Sequence, residues 1–175
     1  MDIVIRVLEA GDTVAIDAAF TGIGWRSRRL QIEGYLREQE SGERVGLVAY
    51  SVEQFAGYVT VNWKPVYSPF AERGIPLIQD LNVLPPFRRR HIASRLVDEA
   101  ERRIFDRSPT AGIGVGLYSD YGPAQRMYVL RGYVPDGRGL TYNDQPVAPG
   151  HEVRVDDDLI LFFTKERPEN VQQVL

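Results

Sequence analysis

Residues 78–101 read IQDLNVLPPFRRRHIASRLVDEAE, and the fold turns on this stretch. Its first part belongs to an apolar-rich strand, Leu77 to Leu84, stopped by Pro85 and Pro86, which lack the N–H that a strand ladder needs. Its last part opens a helix that runs from Ile92 to Asp106, beyond the quoted stretch, with Ile92, Leu96, Val97, Ala100 and Ile104 on one face. A strand passing through a short turn into an amphipathic helix predicts a crossover unit and a layered α/β arrangement.

The turn itself breaks the local rules of helix initiation. A first helical turn exposes N–H groups and the positive end of the helix dipole, and favours Ser, Asp or Asn. Here it carries Arg88, Arg89, Arg90 and His91, with Arg95 one turn further in. An anion on the helix N-terminus, a pyrophosphate for example, would satisfy both the N–H groups and the arginines. A solvated basic turn paired with Asp98 or Glu99 is the competing reading, and charge alone does not separate the two.

Outward from this unit, residues 2–8 alternate as a strand. Gly11–Phe20 and Ser27–Glu40 read as helices, the second with Leu30, Ile32, Tyr35 and Leu36 as its apolar stripe, and a Gly-rich loop carrying Trp25 lies between them. Val45–Ser51 and Phe55–Trp63 are hairpin strands joined across Glu53 and Gln54, and Lys64–Gly74 is a proline-containing loop. In the strand Ala111–Tyr118, Gly112, Gly114 and Gly116 share one face, so something must pack closely there, a helix or a ligand arm. Pro123–Arg131 is a short helix with Gly132 as its stop, Leu159–Thr164 is the last strand, and residues 166–175 are expected to be a flexible tail. Nothing in this order suggests a linker, so a single domain over residues 1–175 is expected.

Composition narrows the chemistry. The chain has 175 residues, 43% hydrophobic and 26% charged, without cysteine, which excludes disulfides, thiolate metal sites and a cysteine nucleophile. His91 and His151 show no metal-ligand spacing, and neither a GxSxG elbow nor a phosphate-loop GKS/GKT occurs, so no metal is expected. A net charge of −3 argues against a nucleic-acid partner. The lack of a long apolar run argues against a membrane partner, and a cytoplasmic location is the expectation.

The quoted run resembles the signature of the GNAT acyl-CoA N-acyltransferases, in which a strand ending L-x-V is followed by R/Q-x-x-G-x-G/A, here Arg88 to Ala93 with His91 at the glycine position. SDYGPAQRMYVLRGYVPDG, residues 119–137, resembles the family's second motif, N-x-x-A-x-x-x-Y-x-x-x-G-F/Y, with Ala124, Tyr128, Gly132 and Tyr133 in register and Tyr121 at the asparagine position. The resemblance implies the GNAT fold of the α/β (α+β) class, a central mixed and mostly antiparallel sheet of about six or seven strands flanked by about four helices. It implies acetyl-CoA as co-substrate. Arg88, Arg89, Arg90, His91, Ile92, Ala93 and Ser94 would hold its pyrophosphate, Val83 its pantetheine arm, and the main-chain N–H of Leu81 its thioester carbonyl, with Tyr121 and Ala124 also beside the cofactor.

The reaction implied is direct acetyl transfer to a primary amine of a small molecule or peptide, with Tyr128 protonating the departing thiolate. Read without the family, Tyr128 is a core aromatic beside Ala124, Met127 and Leu130. On the strand before the loop, Gln79 occupies a position where members often carry a carboxylate base, and Asp80 is the carboxylate present; they should face opposite ways unless a bulge intervenes. Asp80 then acts on the amine through water, or has a structural role. Trp25 and the connection before the last strand, with Glu152, Asp156, Asp157 and Asp158, would bound the acceptor, although such a charge run also fits a solvated loop. Members are commonly homodimers. A catalytically weak acyl-CoA-binding module and an unrelated phosphate-binding α/β protein are the alternatives.

Overall fold

The computed structural model describes residues 2–169; residues 170–175, read as part of a flexible tail, lie outside them. The chain forms β1 (Ile3–Val7), α1 (Asp12–Gly22), α2 (Arg29–Glu40), β2 (Arg44–Ser51), β3 (Gln54–Asn62), the one-turn α3 (Ser68–Ala71), β4 (Leu77–Val83), α4 (Ile92–Phe105), β5 (Thr110–Gly116), α5 (Gly122–Leu130), β6 (Val134–Tyr142), β7 (Gln145–Pro146) and β8 (Leu159–Glu166). One sheet holds all eight strands in the order β1-β2-β3-β4-β5-β8-β6-β7, with β4 and β5 parallel and the other neighbours antiparallel.

The expected fold class is therefore present, with one strand more than the upper expectation. The additions are β6 and β7, in a region read as an irregular connection. Pro135, Gly137 and Gly139 break the alternating pattern of β6, and its pairing with β8 shifts between Pro135 and Leu140. The signal that was available is Asn143–Asp144, both at positive φ (50° and 59°), the backbone of a two-residue hairpin turn. The expected tail also begins later. Glu166 completes β8 opposite Thr110, and the Arg167 N–H donates to the Pro109 carbonyl at 2.7 Å.

The sheet separates the apolar residues into two layers. Val59, Val61, Ile78, Ile113, Val115 and Phe163 face α4 and α5, meeting Ile92, Leu96, Val97, Ala100, Ile104 and Tyr128. The amphipathic reading of α4 identified its whole buried apolar face. On the opposite side, Val48, Phe55 and Tyr58 pack on Ile16, Phe20 and Ile32 of α1 and α2, and Leu77 and Phe162 pack on Tyr67, Phe70 and Ile75 around α3.

The glycine face of β5 belongs to this second side, and protein side chains fill it. A Cβ built at Gly112 would stand 2.3 Å from Phe70 Cε2; one at Gly114 would meet Ile160 and Phe162 at 3.0 Å, and one at Gly116 would lie 2.4 Å from Tyr121 Cε2. Phe70 is 1% exposed and cannot swing aside. Gly112→Ala should therefore cost about 1–3 kcal/mol of stability through overpacking. Urea denaturation of the two proteins would measure it, and an unchanged midpoint would show that the Phe70 ring yields.

Candidate active site

The site originates in an irregularity of β4. Opposite Val59 of β3 stand two residues of β4, Asp80 and Leu81, because the register jumps from Thr60–Gln79 to Tyr58–Asn82. Asp80 sits there at φ 53°, a left-handed conformation that Asp tolerates better than most residues. Through this bulge Gln79 and Asp80, adjacent in sequence, reach the same face of the sheet. Gln79 Oε1 accepts from Arg44 and from Asn62, both at 3.2 Å. Asp80 Oδ2 accepts from the hydroxyls of Tyr58 (2.5 Å) and Tyr35 (3.0 Å) and from Gln31 Nε2 (3.1 Å), while Asn82 Nδ2 donates to Oδ1 at 2.7 Å. Arg28 lies 3.9 Å from Oδ1. Burial, followed by the charge of Asp80, pushes both tyrosine hydroxyls well above the ordinary phenol range, so they remain protonated donors.

Beyond the bulge β4 leaves β5. The two strands pair only at Leu77–Gly112 and Ile78–Ile113, so a wedge opens between the ends of β4 and β5. The wedge leads to the turn at 85–91 and the start of α4. That start has no side-chain cap, and its first bond runs from the Arg95 N–H to the His91 carbonyl. Helix geometry leaves the N–H groups of Ile92, Ala93 and Ser94 pointing out of the helix end. Ser94 offers its hydroxyl to Met127 Sδ at 3.9 Å rather than to the cap. Arg95 is turned away, donating to the Ile3 carbonyl at 2.9 Å.

His91 stands where the motif has glycine, and its backbone is left-handed (φ 60°, ψ 15°), as is that of Arg89 (φ 58°). The loop thus keeps a glycine-like path with a histidine in it. Its side chain is exposed, so the Cβ is accommodated outside the protein core. Arg88 reaches back with Nε to the Val83 carbonyl (3.1 Å) and places its guanidinium 5.8 Å from the Trp25 ring centre. Trp25 rests edge-on against Phe20 at 5.4 Å. Asp17 of α1 fixes its loop by accepting from the Ser27 hydroxyl (2.6 Å) and the Arg28 N–H (2.9 Å).

Tyr128 lies on the α4 side of the sheet, 5% exposed, its ring 6.1 Å from that of Tyr133. Among the described residues no group bonds its hydroxyl, and burial holds that hydroxyl protonated, its pKa raised despite the opposing charge of Arg131. Ala124, Leu81, Val83 and Tyr121 border the same cluster. Two of the four acidic residues before β8 are occupied internally: Asp156 accepts from Tyr142 at 2.9 Å and Asp157 from Tyr121 at 2.8 Å and from Tyr118. Sequence reasoning missed Arg28, Gln31, Tyr35, Tyr58, Asn82 and Tyr118. The one available signal was tyrosine, rather than phenylalanine, at inward positions 35 and 58.

The Acetyltransferase (GNAT) family model matches residues 15–133, which takes in the first motif, the second as far as Tyr133, and the wedge between β4 and β5. The chain belongs to this family of acetyltransferases. Among solved structures, an N-acetyltransferase from Staphylococcus aureus Mu50 is 13% identical with a TM-score of 0.69, covering 95% of this chain and 99% of that one. Arabidopsis thaliana NAA60 in complex with acetyl-CoA is 16% identical with a TM-score of 0.67, covering 94% and 98%. The PaiA N-acetyltransferase of Thermoplasma acidophilum in complex with coenzyme A is 15% identical with a TM-score of 0.60, covering 95% and 100%. At these identities the likeness is one of fold. No protein of curated function matches the sequence.

The left-handed position at 91 can be tested separately from any ligand. That conformation costs a residue with a Cβ about 1–2 kcal/mol, and a β-branched residue tolerates it least. His91→Gly should leave stability unchanged or raise it by up to ~1 kcal/mol, the gain being trimmed by glycine's freedom in the unfolded chain, whereas His91→Val should lower it by ~1–2 kcal/mol. Equal unfolding midpoints for the two variants would mean that the loop simply relaxes.

Proposed function

We propose that the chain is an N-acetyltransferase that moves an acetyl group from acetyl-CoA to a primary amine of a small molecule or peptide, directly and within a ternary complex. The observation that carries this reading is the continuity of the wedge between β4 and β5 with the uncapped, arginine-lined start of α4. An extended arm fits between the strands, and a pyrophosphate fits on the N–H groups of Ile92, Ala93 and Ser94 with Arg88, Arg89 and Arg90 around it. The Arabidopsis and Thermoplasma proteins of like fold carry acetyl-CoA and coenzyme A, which is the ligand this geometry suits.

In the proposed reaction the amine nitrogen bonds to the acetyl carbon, the carbon–sulfur bond breaks, and the sulfur takes the proton of the Tyr128 hydroxyl. The backbone N–H of Leu81, at the bulge, is the proposed donor to the thioester carbonyl, and Val83 continues the strand edge along the arm. The amine must shed a proton, and Asp80 is the proposed acceptor, reached through water. Oδ2 already takes three donors, so Oδ1 is the oxygen with capacity remaining. Four donors already engage the Asp80 carboxylate, so its share of the catalysis should be smaller than that of Tyr128. Trp25 and Arg28 border the acceptor side. Gln79, bonded to Arg44 and Asn62, acts there through that network.

Coenzyme A binding is the first test, read as a rise in melting temperature on titration with acetyl-CoA; no rise would end this reading. Given binding, Tyr128→Phe should lower kcat by ~100-fold, within the usual range for a lost general acid, with little change in KM or stability. Asp80→Asn should lower it by ~10-fold, below the usual range for general acid–base catalysis. Thiol release measured across a panel of amines gives both numbers. Wild-type turnover in Tyr128→Phe would remove that residue from the chemistry. Binding without turnover on any amine would favour an acyl-CoA-binding module.

A further inference from the structure

The end of β5 carries a group of residues that the transfer chemistry above leaves unused. Tyr121 and Tyr118 both donate their hydroxyl protons to Asp157 Oδ1, the first at 2.8 Å, and their rings meet edge to face with centres 4.9 Å apart. The Tyr121 ring lies so close to Gly116 that a Cβ there would be 2.4 Å away. Gln125 Nε2 bonds the Gly116 carbonyl at 2.8 Å, tying the same strand end to α5. A residue of the connection before β8 thus grips the β5 side of the wedge. Its carboxyl is held below the usual range by the Tyr118 hydroxyl first and that of Tyr121 second, and the charge of Arg28 acts in the same direction. Arg28 also lies 3.9 Å from Asp80, on the β4 side.

We infer that Asp157 is a positioning residue for the pantetheine arm of coenzyme A, acting through Tyr121. The inference rests on the coenzyme A reading of the wedge given above. Tyr121 occupies the motif position of a short amide side chain. A ring in that place has two soft torsions and, without a partner for its oxygen, no fixed distance from the wedge. Gly116 removes the Cβ that would push the ring out, and Asp157 accepts the hydrogen bond of its hydroxyl. The phenol oxygen is then left with lone pairs to accept an N–H from an amide-bearing arm. Asp157 therefore contributes to arm affinity while touching neither the pyrophosphate cradle nor the reacting carbon.

Two ligands separate this role from a general effect on the fold. Calorimetric titrations of wild type, Asp157→Ala and Tyr121→Phe would use coenzyme A and 3′-phosphoadenosine 5′-diphosphate, the nucleotide half without the arm. Both variants should bind coenzyme A about 10-fold more weakly, the loss expected for one well-placed hydrogen bond. Both should bind the nucleotide within about twofold of wild type, and their melting temperatures without ligand should match it. Tyr121→Phe keeps the ring over Gly116, so it reports the hydroxyl alone if Asp157→Ala perturbs the loop. Wild-type affinity for coenzyme A in both variants would overturn the inference, as would equal losses for the two ligands. A wild-type protein that binds neither ligand would instead overturn the coenzyme A reading, and this inference with it.

Discussion

A carboxylate surrounded by donors at a bulge in the middle of a sheet is the constraint on which the site depends. A left-handed residue inside a strand costs of order 1–3 kcal/mol and persists only where its surroundings over-determine it. Around Asp80 they do. Tyr58 comes from β3, Tyr35 and Gln31 from α2, Asn82 from β4 itself, and Arg28 from the turn before α2. Hydrogen bonds to an ionised acceptor contribute more than neutral ones, so several together outweigh the backbone cost. The same contacts fasten α2 to the sheet, which couples the docking of that helix to the path of β4.

That path sets the rest. Had β4 continued in register, its end would pair with β5 and close the sheet. The extra residue instead turns it after Ile78, and the two strands separate where an arm can enter. The turn that follows delivers the chain to α4 with its N–H groups uncovered. The N-cap position is His91, which makes no side-chain cap, and the Ser94 hydroxyl in the first turn is directed to Met127.

How much of this was legible in the sequence differs sharply between the two sides of the sheet. Elements whose apolar residues repeat at a regular period were readable, and α4 is the clearest case: its core face and the turn before it follow from residues 85–104 alone. The face carrying Asp80 was not, because its determinants are contacts between residues 22 to 49 positions apart, such as Tyr58 with Asp80 and Gln31 with Asp80. Tyr35 counted as part of an apolar stripe, and only the tertiary structure shows its hydroxyl turned to a carboxylate. The bulge was equally hidden, since alternation assigns Gln79 and Asp80 to opposite faces and only the register with β3 reveals the shift. β6 escaped for a different reason: its pairing with β8 is interrupted around glycines and a proline, so no run long enough to show period two remains.

The two departures from the family pattern illustrate how a motif tolerates substitution. His91 replaces a glycine needed for its backbone, and the solution is local: the side chain points to solvent and the chain keeps its left-handed φ at a modest energetic cost. Tyr121 replaces a side chain valued for where it puts a polar atom, and no local solution exists for a ring of that size. Its accommodation is spread over Gly116, which makes room, and Asp157, 36 residues later in the chain, which holds the hydroxyl. A backbone requirement can thus be met by one residue, whereas a side-chain requirement recruits partners from elsewhere in the fold. Within the connection before β8, Asp156 and Asp157, which by charge alone suit an amine, are already engaged with Tyr142 and with Tyr118 and Tyr121.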